Sequence, residues 1–323
     1  MVDTLLDTDH EVIVIDNMTT GSLGNLSKWK SHPHLILYQE DIILSVCLTL
    51  SRRFIYQAPS FRVDYVYHLA CPASPVHYQK DPVQTMKTNV LGTLNICALA
   101  TEWGARLLLA STSEVYGDPA IHPQVEEYTG NVDPTGPRSC YDEGKRAAET
   151  ICMDFHRMNG LEVRIARIFN TYGPRMALDD GRVVSNFIVQ SLQGQSLSLY
   201  GDGSQTRSFC YVSDLVRGLV ALMHSNYTGP VNLGNPEEFT VQQLGEQVSS
   251  IVLNKSDAVQ FEYRSLPKDD PTRRRPDISK AKTILEWEPR VTLQEGLQLT
   301  IPDFQARLND PVQISHQRDA TLL

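Results

Sequence analysis

Short apolar runs alternate with longer segments of helical spacing along the first half of the chain. Glu11–Asp16 (EVIVID) is an apolar run that ends in an acid, which is typical of a buried parallel strand. Asp81–Trp103 instead places Val90, Leu94 and Ala98 on one face of a helix. Strands that alternate with helices indicate a Rossmann-like α/β fold with a doubly wound parallel sheet. The other elements predicted in this half are the strands Leu35–Tyr38, Val63–Leu69, Arg106–Ala110 and Leu161–Arg167 and the helix Tyr141–Met158.

The second half of the chain has shorter and more mixed elements. Thr240 with Gln243 and Thr292 with Glu295 are patterns typical of capping boxes, and each predicts the start of a helix. We therefore predict a cofactor-binding domain at residues 1–175, a smaller mixed α/β substrate-binding region at 176–310 and a loose tail at 311–323. The other elements predicted here are the helices Val183–Gln193 and Ser213–His224 and the strand Val259–Arg264.

The glycine-rich turn of a dinucleotide-binding fold is missing from its expected place. That turn normally precedes, by about 20 residues, an acid that binds the ribose hydroxyls. Asp16 is in the position of that acid, whereas Gly21 and Gly24 follow it, and the alternative for Asp16 is an ordinary acid at a strand end. We expect the chain to begin inside the first helix, at Val2–Thr8, without the first strand and the pyrophosphate turn. Because that strand is central in the sheet, its absence would expose the edges of its two neighbours.

Composition and charge narrow the class of protein. Of the 323 residues 41% are hydrophobic and 21% charged, an ordinary balance for a globular protein. The formal net charge of −9 disfavours binding to nucleic acid or to an anionic membrane. No stretch is long and apolar enough to span a bilayer, so we expect no membrane segment in this chain. The six cysteines lack metal-ligand spacing, which predicts free thiols in a reducing compartment and no metal site.

A tyrosine and a lysine four residues apart carry the candidate chemistry. Tyr141 and Lys145 lie on one face of a predicted helix, in the only YxxxK pattern of the chain. Earlier, a buried strand ends in Ser111-Thr112-Ser113-Glu114, at the sheet edge where such folds bind ligands. An ammonium beside a phenol, with a nicotinamide cation near, lowers the pKa of the phenol, so that the tyrosinate can take a proton from a sugar hydroxyl. The alternative is a Tyr–Lys pair on a solvated helix face.

Seven stretches of the chain are long and distinctive. They read LACPASPVHYQKDPVQTMKTNVLGTLN, LLASTSEVYGDP, GPRSCYDEGKRAAET, RIARIFNTYGPRMALDDGRVVSNF, YGDGSQTRSF, PVNLGNPEEFT and RRRPDISKAK. Together they resemble the UDP-glucuronate decarboxylases (UDP-xylose synthases) of the extended short-chain dehydrogenase/reductase superfamily, from about Glu11 to about Arg307. Ile43–Arg62 departs from the resemblance, and we predict that it is an unrelated insertion.

The resemblance implies a reaction and three groups of site residues. The reaction is the decarboxylation of UDP-glucuronate to UDP-xylose and carbon dioxide through a 4-keto intermediate, with a tightly bound NAD that is recycled. The implied catalytic residues are Tyr141, Lys145, Thr112, Ser113, Glu114 and Arg207. The implied cofactor contacts are Asp16, Asn17, Thr20, Asp41, Leu69, Thr88 and Thr171, together with Tyr141 and Lys145. The implied substrate contacts are Lys87, Asn95, Asn170, Arg175, Arg182, Arg207 and Arg275.

Ser113 and Glu114 bear on the choice among related activities. The similar 4,6-dehydratases usually carry an aspartate acid at the position of Ser113, and the epimerases usually lack the glutamate. Ser113, Glu114 and Arg207 together therefore favour decarboxylation. A UDP-hexose 4-epimerase, a nucleotide-sugar 4,6-dehydratase and a non-catalytic truncated remnant remain as alternatives. The resemblance also implies a homodimer, and the free thiols indicate the cytoplasm, with the Golgi as the alternative if a missing amino end carried a membrane anchor.

Overall fold

The computed structural model describes residues 1–44, 62–253, 259–265 and 273–310. Most of the predicted insertion at 43–62 and the whole predicted tail at 311–323 lie outside the described residues. Within them, no helix combines the length and the apolar character that crossing a lipid bilayer requires.

Nearly every predicted strand is present within one or two residues of its predicted bounds. The strands of the first half are β1 (Val12–Ile15), β2 (Leu35–Tyr38), β3 (Tyr65–His68), β4 (Arg106–Thr112), β5 (Val163–Ile168) and β6 (Thr171–Tyr172). Those of the second half are β7 (Leu197–Tyr200), β8 (Thr206–Ser208), β9 (Cys210–Tyr211), β10 (Pro230–Leu233), β11 (Glu238–Thr240), β12 (Phe261–Arg264) and β13 (Arg273–Arg274).

The helices likewise follow the predicted periodicity. In the first half they are α1 (Val2–Leu6), α2 (Pro75–Tyr78), α3 (Pro82–Lys87), α4 (Thr93–Trp103) and α5 (Ser139–Asn159). In the second half they are α6 (Val183–Leu192), α7 (Val212–His224), α8 (Val241–Leu253), α9 (Ser279–Leu285) and α10 (Leu293–Leu308). Both predicted capping boxes are confirmed by reciprocal hydrogen bonds, between Thr240 and Gln243 before α8 and between Thr292 and Glu295 before α10.

The predicted parallel sheet is confirmed, and it is in two parts. Four parallel strands are ordered β10-β5-β4-β3, and β1 pairs with β2 in a separate parallel ladder. No strand lies between β1 and β3 among the residues that the structure describes. In the 3-2-1-4-5-6 order of this fold, that place belongs to the first strand. Within the described residues the two ladders β10-β5-β4-β3 and β1-β2 are therefore separate sheets.

Apolar side chains cover both faces of the four-stranded sheet. On one face α4 and α5 pack on β4 and β5 around Ile96, Leu107 and Ile165. On the other face α7 and α9 pack on the sheet around Leu108, Leu219 and Trp287. Burial on both faces is what the continuous apolar runs of parallel strands require.

The second half contributes to the sheet and also forms a core of its own. β10 comes from this half, yet it pairs with β5 and completes the edge of the four-stranded sheet. A separate cluster around Phe187, Leu244, Leu297 and Phe304 joins α6, α8 and α10. The division at residue 175 into cofactor and substrate regions stays a prediction.

The predicted helix Asp81–Trp103 is three consecutive elements: α3, a π-helical turn at Thr88–Gly92, and α4. Gly92 lies against Ile42, since a Cβ atom there would be 2.6 Å from the Ile42 Cδ1 atom. Asn95, one turn further, donates from its amide nitrogen to the carbonyl oxygens of Ile42 (2.8 Å) and Leu44 (3.2 Å). A side chain at position 92 would therefore displace at least the Ile42 side chain, which follows β2.

Candidate active site

Three polar residues end the central strand β4. Thr112 is its last residue, and Ser113 and Glu114 begin a 3₁₀ turn. The Thr112 hydroxyl caps that turn by accepting a hydrogen bond from the Glu114 backbone N–H at 3.2 Å. Thr112 and Ser113 are both buried. The carboxyl end of β4 thus places these side chains at the sheet edge where such folds bind ligands.

The first two turns of α5 bring Tyr141 and Lys145 to the same edge. Both side chains are buried, as the helical spacing of the pair predicts for a face that packs on the sheet. The Lys145 Nζ atom donates to the Ala110 carbonyl oxygen at 2.9 Å and lies 5.9 Å from the centroid of the Tyr141 ring. Gly144 allows this close packing, because a Cβ atom there would be 2.8 Å from Asn89 Nδ2. The alternative of a solvated Tyr–Lys face is therefore wrong.

Tyr78, on α2, fixes the orientation of the Tyr141 ring. The two rings are stacked, with centroids 4.8 Å apart and planes 3° from parallel. Burial raises the pKa of Tyr141, and a hydrogen bond with Thr112 lowers it in part. Burial also lowers the pKa of Lys145. A cation beside the phenol, such as a nicotinamide ring, is what would bring the Tyr141 pKa down toward neutrality.

Glu114 is bound by two arginines that are distant from it in sequence. Arg138, at the amino end of α5, donates to Glu114 Oε2 at 2.8 Å, and Arg274 of β13 donates to Glu114 Oε1. Arg274 is buried and also reaches Ser113 Oγ (3.4 Å) and the Gly117 carbonyl oxygen (3.2 Å). Burial by itself would raise the pKa of Glu114, but Arg274 and Arg138 outweigh it and hold that pKa below its usual value. Glu114 is therefore a carboxylate and not an acid at neutral pH.

Arg207 and Arg182 also lie near this carboxylate. The Arg207 charge helps to lower the pKa of Glu114. Its Nη1 atom donates to the Thr206 carbonyl oxygen at 2.9 Å. Arg182 is held by Asp180 through two bonds of 2.6 and 2.9 Å, and its charge acts on Tyr141 and Glu114. The structure thus adds Arg274 and Arg138 to the residues around Glu114, and the role that the resemblance implies for Arg207 stays a prediction.

The predicted ribose contacts are gathered at the carboxyl ends of β1 and β2. Asp16 follows β1 and accepts a bond from the Met18 backbone N–H at 2.7 Å. The Asp41 carboxylate accepts bonds from Asn17 Nδ2 (3.0 Å) and Gln84 Nε2 (3.2 Å). These polar side chains suit ribose hydroxyls. Among the described residues, no glycine-rich turn precedes Asp16 to take a pyrophosphate.

The other predicted cofactor contacts differ in exposure and in hydrogen-bond partners. Thr20 is exposed after β1, and Leu69 is 43% exposed at the end of β3. The Thr88 and Thr171 hydroxyls each donate at 2.9 Å to a backbone carbonyl, of Gln84 and Phe169 respectively. Their roles stay predictions.

The remaining predicted substrate contacts differ in their surroundings. Lys87 is exposed, and Asn170 is half-buried between β5 and β6. Arg175 bonds to Asp3 and to the Asn25 carbonyl oxygen, so it links the amino-terminal segment to the start of the second half. Arg275 lies 3.7 Å from a Glu238 carboxylate oxygen, on the side of β13 away from Arg274. The Asn95 amide bonds to the Ile42 and Leu44 carbonyl groups described above.

Four residues of this site were absent from the sequence prediction: Tyr78, Arg138, Asp142 and Arg274. Tyr78 and Arg138 stand inside distinctive stretches of the sequence, but nothing local shows that they meet Glu114 and Tyr141. Arg274 was passed over for its neighbour Arg275, because a run of three arginines does not show which one turns inward. His68, by contrast, is buried and hydrogen-bonded to Thr93 Oγ1 at 3.0 Å, as a structural histidine would be.

A family model described as GDP-mannose 4,6 dehydratase matches residues 1–300. The fold and this match define a nucleotide-sugar enzyme of the extended short-chain dehydrogenase class. UDP-glucuronic acid decarboxylase 3 of Arabidopsis thaliana is 54% identical over 312 residues, which are 96% of this chain and 86% of the relative. UDP-glucuronic acid decarboxylase 1 of Danio rerio is 53% identical over 95% of this chain and 70% of the relative. The chain belongs to the family of UDP-glucuronic acid decarboxylases.

Solved structures of related enzymes have the same fold. UDP-glucose 4-epimerase of Thermotoga maritima, with UDP-glucose, is 29% identical, with a TM-score of 0.84 and 95% of each chain covered. UDP-glucuronic acid 4-epimerase of Bacillus cereus, in complex with UDP-glucuronic acid and NAD, is 25% identical, with a TM-score of 0.81 and 94% of each chain covered.

Proposed function

We propose that this chain decarboxylates UDP-glucuronate to UDP-xylose and carbon dioxide, with an NAD that is recycled in each turnover. The observation that carries the proposal is the meeting of Tyr141, Thr112 and an arginine-bound Glu114 at one edge of the sheet. The 54% identity to a curated decarboxylase over almost the whole chain supports it.

The substrate explains why a tyrosine and a threonine are needed together. Oxidation at C4 turns the glucuronate into a β-keto acid, which loses carbon dioxide readily and leaves an enolate. In the proposal, Tyr141 takes the proton of the 4-hydroxyl as general base. Tyr141 and Thr112 then donate hydrogen bonds to the C4 oxygen, where negative charge develops as carbon dioxide leaves.

The arginines suit the two anionic groups of the substrate. Guanidinium groups bind carboxylate and phosphate through paired hydrogen bonds. Arg182 and Arg207 lie close enough to Glu114 to act on its charge, so a substrate carboxylate at that place would lie among cations. Arg138 and Arg274 hold Glu114 in one orientation at the edge of this site.

NAD, when bound, would accept a hydride from C4 and return it later. Asp16, Asn17 and Asp41 fit the ribose end of such a cofactor, because they supply carboxylate and amide groups at the ends of adjacent strands. Lys145 and Tyr141 fit the nicotinamide end, because a buried phenol needs a nearby cation to ionise.

Product analysis tests the proposal. Incubated with UDP-glucuronate and NAD, the chain is expected to release carbon dioxide and form UDP-xylose in equal amounts. Mass spectrometry and nuclear magnetic resonance of the nucleotide sugar provide the measurement. A product that retains C6 would instead support the epimerase or dehydratase alternative. Binding of NAD without any turnover would support the non-catalytic alternative.

The resemblance also leads us to infer a homodimer. The leucines of the π turn and α4 support this, because Leu91 and Leu94 are 45% and 39% exposed on one helical stretch.

The cytoplasm is the inferred location, with the Golgi as the alternative, because the described cysteines are free thiols. The Sγ atoms of Cys97 and Cys152 lie 3.7 Å apart and do not form a disulfide bond.

Replacing Leu94 with Glu is expected to weaken the dimer at least ~10-fold, because a charge would be buried at the interface. Light scattering of the protein across a dilution series measures the change. Leu299→Glu is the matched control, since Leu299 is an exposed leucine (56%) on α10. Equal dimer stability in the two variants would contradict the proposal that Leu94 lies in the dimer interface.

A further inference from the structure

The proposed reaction consumes a proton that Tyr141 does not supply. Tyr141 takes a proton from the 4-hydroxyl when C4 is oxidised and returns it when C4 is reduced. Its proton cycle is therefore closed. The carboxylate leaves as neutral carbon dioxide, and C5 gains a hydrogen in its place. A second group has to give that proton to C5, and this inference rests on the proposed function.

Glu114 is unsuited to be this donor. Its two carboxylate oxygens accept bonds from Arg138 and Arg274. These guanidinium groups hold the pKa of Glu114 below its usual value in spite of its burial. A general acid needs a proton to give at the working pH. Glu114 holds none near neutrality.

Asp142 is the other acid of this cluster. It follows Tyr141 in the first turn of α5, and only 7% of its surface is exposed. Its Oδ1 atom is buried and has no hydrogen-bond partner within the described part of the chain, and the same holds for the Tyr78 hydroxyl. Buried polar atoms are rarely left unpaired unless they serve a ligand or a reaction. The Tyr78 ring stacks on Tyr141, the charge of Asp142 acts on the Tyr78 phenol, and the charge of Glu114 acts on Asp142, so Asp142 belongs to the same cluster of side chains.

The surroundings of Asp142 favour its protonated form. Burial is the largest cause and the charge of Glu114 the second, and together they raise its pKa from 3.8 to about 7. Arg138 and Arg274 oppose this rise, and their hydrogen bonds go to Glu114. The titratable and charged groups that face Asp142 in the described part of the chain are Glu114, Arg138, Arg274, Glu143, Tyr78 and Cys140.

We propose that Asp142 is the acid that supplies the proton gained by C5 after carbon dioxide has left. The electron pair of the enolate forms the new C5–H bond, and the O–H bond of the Asp142 carboxyl group breaks. C4 becomes a ketone again, ready for reduction, and Asp142 is left as a carboxylate. Water re-protonates it before the next turnover, so that one proton enters from solvent for each carbon dioxide released.

Asp142→Asn tests the proposal, because it keeps the size of the side chain and removes its acid. We expect UDP-xylose formation to fall at least ~10-fold. Loss of a general acid usually costs about 10²- to 10⁴-fold in rate. Oxidation at C4 and release of carbon dioxide come before the affected step. A first-turnover burst of carbon dioxide and bound NADH, detected by its absorbance, is therefore expected to persist. Asp142→Glu, which restores a carboxyl group, should recover part of the rate.

Glu143→Gln is the matched control, since Glu143 is the next residue and pairs with Arg146 at the helix surface (3.5 Å). It should form UDP-xylose at the wild-type rate. Wild-type UDP-xylose formation by Asp142→Asn would overturn the role of Asp142 and leave the proposed function standing. Loss of the NADH burst in that variant would overturn it too, since the defect would then precede decarboxylation. If the wild-type protein released no carbon dioxide, the proposed decarboxylase function itself would be wrong.

A second measurement uses the wild-type protein alone, so it does not depend on the folding of a variant. As pH rises through about 7, Asp142 loses its proton. The ratio of bound NADH to UDP-xylose during turnover should then increase. A ratio that stays constant across this range would count against Asp142 as the donor.

The same group has an expected effect on stability. The folded protein holds the Asp142 proton up to about pH 7, whereas an unfolded chain loses it near 3.8. Ionising Asp142 therefore costs the folded state stability as pH rises between these values. Asp142→Asn should raise the melting temperature relative to the wild-type protein, and by more at alkaline than at acid pH. A pH-independent difference would contradict the buried, proton-holding carboxyl group.

Discussion

Replacing Tyr141 with Phe is expected to lower the rate of UDP-xylose formation by about 10²- to 10⁴-fold, the range for loss of a general acid–base group. The variant keeps the ring that stacks on Tyr78 at 4.8 Å, so the packing of α5 should persist. It loses only the hydroxyl, which the proposal uses to take the 4-hydroxyl proton and to hold the C4 oxygen. The loss should therefore appear in the rate constant for oxidation and not in the melting temperature.

Single-turnover formation of NADH from bound NAD measures that step directly. Tyr263→Phe is the matched control, because Tyr263 lies 64% exposed on β12 and should retain the wild-type rate. Undiminished UDP-xylose formation by Tyr141→Phe would remove the phenol from the mechanism. Since Tyr141→Phe retains the aromatic ring, a large loss of rate could not be explained by disrupted packing of the core.

The second large effect is expected at Arg274. Arg274→Ala leaves the buried Glu114 with Arg138 as its remaining direct partner. Breaking a buried ion pair in this way destabilises a protein by about 3 kcal/mol, because one charge stays desolvated. The pKa of Glu114 should rise, since burial then meets less opposition. We also expect a loss of at least ~100-fold in the rate of decarboxylation, comparable with removal of one oriented charge from an active site.

Arg275→Ala is the control in the adjacent position. Arg275 is 42% exposed at its side chain and lies 3.7 Å from Glu238, and an exposed pair of this kind contributes about 1 kcal/mol or less. Chemical denaturation measures the two stabilities, and release of labelled carbon dioxide measures the two rates. Arg274→Lys separates charge from geometry, since lysine cannot make the paired bonds of a guanidinium group. Equal losses of stability in Arg274→Ala and Arg275→Ala would contradict the assignment of the inner arginine.

Most of the fold could be predicted because its signals are local. A short apolar run that ends in an acid, such as EVIVID, is typical of a parallel strand, and β1 is found there at Val12–Ile15. Thr292 and Glu295 bond each other's backbone within one turn, so their spacing alone marks the start of α10.

The candidate site was predicted where its residues are neighbours in the chain. Tyr141 and Lys145 share a helix face because helical periodicity is fixed over four residues. Thr112, Ser113 and Glu114 follow from one strand end in the same way. Arg274 did not, because alternate residues of a strand point to opposite faces, and only the packing of β13 beside β8 decides which arginine turns inward.

The sequence by itself thus determined the α/β class, the longer helices, six of the thirteen described strands, and the polar residues at two sheet edges, since each depends on contacts within a few residues. Tertiary structure alone decided that Glu114 is bound by Arg138 and Arg274, 24 and 160 residues away. It also decided that Asp142 is buried beside that carboxylate with an unpaired oxygen. Desolvation and distance between charges set protonation states, and both come into existence only when remote segments pack together.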